Sequence, residues 1–149
     1  MTRPQSPAYS LRVLLGNPPF LPRYSRPQRS PAVTRSGTLY LPLWLASCCA
    51  VLEADGHRTL LLDAPAEGLD LAGMLPRVAA FAPELAVLDT SAPSIAADLA
   101  AARAIKARLP DCRVVMVGPQ ASALPESCLA DPAGPDAVAR REYEYTVRD

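Results

Sequence analysis

Five short apolar runs punctuate the chain: "LRVLL" (11–15), "RTLLL" (58–62), "LAVLD" (85–89), "RVVMV" (113–117) and "DAVA" (136–139). They are continuous rather than alternating, as in strands covered on both faces. The segments between them carry helical patterns. Residues 43–55, "LWLASCCAVLEAD", stop at Gly56, a residue suited to ending a helix. Residues 69–82 form a weaker helix, in which Pro76 fits only if the helix begins late or bends. Residues 94–109 are alanine-rich, with Ser94 placed as N-cap and Pro110 as stop. A short helix is predicted over 123–130, and a last one begins near Glu142. Such alternation implies right-handed βαβ units on a parallel sheet. The prediction is α/β: a flavodoxin-like, doubly wound, five-stranded parallel sheet in order 2-1-3-4-5, with three αβα layers.

In such folds ligands bind beyond the carboxyl ends of the strands. That rule puts "GNPPF", "DTSAPS", "GPQAS" and "RREYE" on one rim. The connection after the first strand, residues 16–42, far exceeds the few residues of an ordinary βα loop. It is proline-rich and leaves from the rim, so it is expected to cover the ligand, ordered near its ends and mobile in its middle. Residues 1–10 are expected to be a flexible N-terminus, 11–141 the domain, and 142–149 the start of a linker or helix.

Charge changes this picture little. Net charge is zero, but residues 1–52 hold six arginines and no acid, while the rest hold nine basic and fifteen acidic residues. The arginines are spread out and lack aromatic interleaving, which argues against nucleic acid as a partner. No apolar stretch reaches transmembrane length and the start has no signal-peptide core, so a cytoplasmic location is expected.

Most familiar chemistries are missing. Asp89, ending the third predicted strand, is where a response-regulator receiver accepts phosphate. That chemistry also needs acidic residues after the first strand and a lysine after the fifth. Gly16, Asn17, Arg140 and Arg141 stand there instead, so Asp89 is expected to cap or bond backbone near Thr90 and Ser91. No glycine-rich phosphate cradle occurs. The sole histidine, His57, precedes the second strand and so lies roughly 17 Å from the rim, as a surface residue. Cys48, Cys49, Cys112 and Cys128 lack redox or zinc spacing and read as small buried apolar residues. No metal ligand from protein side chains is expected.

Taken in order, "LLGNPP", "YLPLWLASCCAVLEADGH", "LLDAPAEGLD", "DTSAPSIAADLAAARAIKA", "VMVGPQASALPE" and "VARREYEYTVRD" give the chain a resemblance. It resembles the N-terminal cobalamin-binding domain of B12-dependent radical SAM enzymes over nearly its whole length, and within them the subgroup associated with hopanoid biosynthesis. It departs at Trp44, where glycine is usual, at Gln120, where histidine is frequent, and at Arg140–Arg141, where Arg-Gly is frequent.

The resemblance implies cobalamin bound base-off, with its nucleotide tail buried and no histidine on cobalt. It assigns cofactor binding to Asn17, Pro18, Pro42, Leu43, Thr90, Ser91, Pro93, Ser94, Gly118, Pro119, Gln120, Ala121 and Glu142, and no catalytic residue. The implied partner is a radical SAM catalytic domain or protein, for methyl transfer or rearrangement. A 4Fe–4S cluster and SAM belong only to that part, because this chain has no Cys-x-x-x-Cys-x-x-Cys. The expectation is a fragment, a truncated product or a stand-alone corrin carrier. The competing expectation is a receiver-like or other flavodoxin-fold interaction module without cofactor.

Overall fold

The computed structural model describes residues 9–26 and 32–149. Strand β1 (Arg12–Asn17) is followed by two short strands, β2 (Tyr24–Ser25) and β3 (Ala32–Val33). Then come α1 (Leu43–Ala54), β4 (Arg58–Asp63), α2 (Leu71–Phe81), β5 (Leu85–Asp89) and α3 (Ile95–Arg108). The chain continues with β6 (Arg113–Val117), α4 (Pro119–Ala123), α5 (Pro125–Leu129), β7 (Ala137–Val138) and α6 (Glu144–Arg148).

Five strands form one parallel sheet in the order β4-β1-β5-β6-β7. Numbered within the sheet, that is the 2-1-3-4-5 order predicted from the apolar runs. Two cores cover its faces. Leu14, Leu62, Ala86 and Leu88 pack with Met74 and Val78 of α2 and with Ala102 and Ile105 of α3. Val13, Leu15 and Val87 pack with Leu45, Cys48 and Leu52 of α1 and with Tyr143 just before α6. Alternate residues of β1 and β5 thus serve opposite cores, which is why their runs are apolar without a break. Each fully buried leucine contributes about 2–3 kcal/mol. A Cβ on Gly16 would lie 2.8 Å from Leu88 Cδ2, so the central strands meet there over a bare backbone.

Local chemistry sets the helix ends. Asp70 caps α2 by accepting the Gly73 N–H at 2.8 Å. Pro76 is accommodated inside α2, one turn past its start. Lys106 and Arg108 sit in the last turn of α3, where cations favour the helix dipole, and Pro110 lies just beyond.

Three expectations need correction. Ser94 precedes α3 but makes no side-chain cap; its hydroxyl is committed to other side chains, described below. "GPQAS" is not an open loop, because Pro119 opens a short helix at the position where its missing N–H forfeits no helical bond. The long connection also contains a small antiparallel pairing of β2 with β3, which two-residue strands do not signal in sequence. The expected flexible N-terminus falls, except for Tyr9 and Ser10, outside the described residues. The mobile middle of the loop falls on residues 27–31, also outside them. No helix among the described residues is long and apolar enough to cross a membrane.

Candidate functional site

All five strands of the sheet point the same way, so Asn17, Asp63, Asp89, Val117 and Val138 end on one rim. The rim has two unlike halves, one on the α2/α3 face and one on the α1/α6 face.

On the α2/α3 face the segment after β1 folds back over the strand ends and inserts Arg26. The guanidinium donates from Nη1 to Asn17 Oδ1 at 2.7 Å and to the Pro18 carbonyl. It donates from Nε to Ser94 Oγ at 3.2 Å and from Nη2 to the Asp98 carboxylate on α3. Thr90 Oγ1 donates to Asp98 Oδ2 at 2.8 Å, and Ser94 Oγ donates to the same oxygen at 2.6 Å. Ser91 Oγ lies 2.7 Å from Ser94 Oγ and 3.0 Å from Tyr24 Oη. A carboxylate only accepts, so the protons run one way: Tyr24 to Ser91, Ser91 to Ser94, Ser94 to Asp98. The Arg26 guanidinium also lies 5.4 Å from the centre of the Tyr24 ring, within cation–π range. Asn17 Nδ2 donates to Asp63 Oδ1 at 2.8 Å.

Apart from the half-buried Asp63, the side chains of this cluster are buried, Arg26 at 4 % exposure and Thr90, Ser94 and Asp98 at 0 %. Burial pushes the Asp98 carboxyl up, against the pull of Arg26 and the two hydroxyls. A buried ion pair of this kind is held by its surrounding hydrogen bonds, which offset the desolvation of both charges.

The α1/α6 half is apolar and open. Tyr40, Leu41, Leu43 and Trp44 lead into α1 with more than half their surface free, Leu41 at 65 %. Glu142 and Tyr145 stand across a shallow pocket from Trp44. Beneath this shelf Tyr143 is buried, and its hydroxyl has no hydrogen-bond partner among the described residues. Burial first, then the Asp89 carboxyl, raises the Tyr143 pKa. Asp89 itself is raised to about 7, by burial above all, with Arg26 opposing and Asp98 reinforcing the shift. Gly118 sits beside it at φ +94°. A Cβ there would overlap Asp89 Oδ1 and lie 2.7 Å from the Thr90 carbonyl, so only glycine fits.

The sequence-derived residues fall into four groups. Asn17, Pro18, Thr90, Ser91 and Ser94 converge in the Arg26 cluster. Pro42 and Leu43 open α1 and share the apolar half with Glu142. Gly118, Pro119 and Gln120 lie between the halves, with Gln120 Nε2 donating to Ser127 Oγ at 3.1 Å; Pro93 is exposed beside Ser94. Ala121 faces inward against Met116 and Cys128. His57 is at the far end of the sheet, its Nδ1 accepting the Leu11 N–H at 3.2 Å. Tyr24, Arg26, Asp98 and Tyr143 were not anticipated. Asp98 did carry a signal, as the one acid on the helical stripe Asp98, Ala101, Ala102 and Ile105.

The fold and rim define a doubly wound ligand-binding domain. A family model described as "B12 binding domain" matches residues 29–149, and the chain belongs to that family. Cobalamin is therefore the cofactor its family membership suggests. The matched span begins beyond β1 and Arg26, and neither the curated proteins nor the solved structures compared with the chain give a match.

Proposed function

We propose that the chain carries cobalamin on the carboxyl rim, base-off and without a histidine on cobalt, for a radical SAM catalytic domain or protein that transfers a methyl group or rearranges a substrate. The observation that carries this reading is the uncovered apolar shelf of Tyr40, Leu41, Leu43 and Trp44 at the rim of a B12-binding domain. A large, flat, partly apolar ligand offsets the exposure of those side chains. Leu43 and Trp44 would support the ring, and Gly118, Pro119, Gln120 and Glu142 would flank it. The Tyr143 hydroxyl, unbonded among the described residues, is a hydrogen-bonding group already desolvated beneath it. When bound, the cofactor supplies a cobalt atom able to carry a transferable carbon group. The distance of His57 from the rim supports the histidine-free mode.

The test is to mix the purified chain with hydroxocobalamin, desalt, and record the visible spectrum. Retained corrin absorbance, with a spectrum unchanged in His57→Ala, is the expected result. No retained absorbance removes the cofactor assignment. A nitrogen hyperfine pattern in the cob(II)alamin EPR signal that disappears in His57→Ala overturns the histidine-free mode alone.

A further inference from the structure

The hydroxyls of Thr90, Ser91 and Ser94 are the polar groups the rim offers at the head of α3, yet all three are buried and already bonded. What covers them is residues 18–26. One side of this strap presents Tyr24 and Arg26 to the hydroxyls. The other side, Pro19 to Arg23, walls a cavity of about 500 Å³, against Leu69, Leu71, Ala97 and Ala100. The same strap and the same helix α3 therefore border both a bonded polar cleft and an open apolar cavity. The strap is held inward by side chains. Its own backbone contributes the Tyr24 N–H to Leu21 carbonyl bond at 3.1 Å and the two-residue pairing of β2 with β3.

We propose that Arg26 is the catch of this strap: its insertion against Asp98 keeps the strap shut, and the strap lifts before a ligand reaches Thr90, Ser91 and Ser94. Lifting opens the three hydroxyls and the Asp98 carboxylate onto the neighbouring cavity, joining them into one site with an apolar wall and a polar floor. A ligand that uses this site binds only the lifted form, so its apparent affinity and association rate are reduced by the fraction of time the catch is closed. The ligand named here, cobalamin, rests on the function proposed above; the catch itself does not.

Two measurements on the full chain separate them. Arg23 is exposed while Tyr24 is buried, so trypsin cleavage of the Arg23–Tyr24 bond reads the strap directly, with no ligand present. The working variant is Arg26→Gln with Asp98→Asn, a neutral pair that leaves no charge buried alone. Tyr24→Phe, which keeps the ring and drops only the bond to Ser91, is a milder companion that preserves the fold if the double variant does not. Circular dichroism checks folding in each.

Cleavage after Arg23 is expected to speed up about tenfold in the double variant and two- to threefold in Tyr24→Phe, and hydroxocobalamin association to rise by similar factors. Unchanged cleavage in the folded variants overturns the catch. Faster cleavage with an unchanged association rate shows that the ligand does not pass beneath the strap and overturns the gating role. If the parent chain takes up no hydroxocobalamin, the cofactor reading falls, and the cleavage rates still decide whether Arg26 holds the strap.

Discussion

The two halves of the rim meet along β5 and satisfy their surfaces in opposite ways. On the α2/α3 side, the polar side chains are buried, and each finds a partner inside the protein: Arg26, Asp98, Thr90, Ser91 and Ser94 close a complete circuit. On the α1/α6 side, apolar side chains face outward and the buried Tyr143 hydroxyl has no bond among the described residues. The boundary between them is one residue wide. Leu88 and Thr90 face α2 and α3, whereas Val87 shares the α1 core and Asp89 lies near Tyr143. Alternation along a single strand therefore separates a half finished within the domain from a half that looks for something outside it.

Removing the anion of the finished half has the largest expected effect. Asp98→Ala leaves Arg26 buried without a counter-charge and strands two hydroxyls, at a cost of about 3–5 kcal/mol in urea unfolding. A loss below 1 kcal/mol would mean that the circuit is not closed in solution.

The boundary residue comes next. The Asp89 carboxyl is raised to about 7 in the folded chain from an ordinary 3.8, so the folded state holds that proton more tightly. The resulting stabilisation is full below the ordinary value and is lost as pH rises through 7. Relative to Asp89→Asn, the parent should lose on the order of 4 kcal/mol between pH 4 and pH 8. Arg26, Asp98 and Tyr143 are the charged and titratable groups that bear on this carboxyl. Parallel pH profiles for parent and variant would show that Asp89 titrates normally.

The unfinished half should respond least. Tyr143→Phe deletes a hydroxyl that makes no bond among the described residues, so thermal unfolding of the free chain should shift by less than about 1 kcal/mol in either direction. A larger loss would reveal a partner for that hydroxyl. Trp44→Ser, on the exposed shelf, should stay within about 0.5 kcal/mol while reducing the hydroxocobalamin retained after desalting.

The sequence made the two halves unequally legible. Strands β5 and β6 have the bounds their apolar runs predicted, because a strand covered on both faces leaves no polar gap in its run. "GNPPF", "DTSAPS" and "GPQAS" were placed on the rim by topology alone. The circuit beneath them was not visible. Arg26 sits in a proline-rich segment among several other arginines, and its anion lies 72 residues away on another element. Ser94 read as a cap because a serine before an alanine-rich helix usually is one; here Asp98, one turn on, competes for the hydroxyl and wins through charge. Gly-Pro at 118–119 carries no helical pattern, although the same pair opens α4.

The four cysteines, all buried, make the chain a convenient subject for spectroscopy. Burial raises the pKa of every thiol, that of Cys48 to about 12 and that of Cys112 to about 11, so little thiolate is present at neutral pH to attack a maleimide. A single cysteine introduced at the exposed Pro93 would take up a fluorophore selectively in the native chain. Its emission, a few residues from Ser91 and Ser94, would follow the proposed lifting of Tyr24 and Arg26 in real time without any native cysteine having to be removed first.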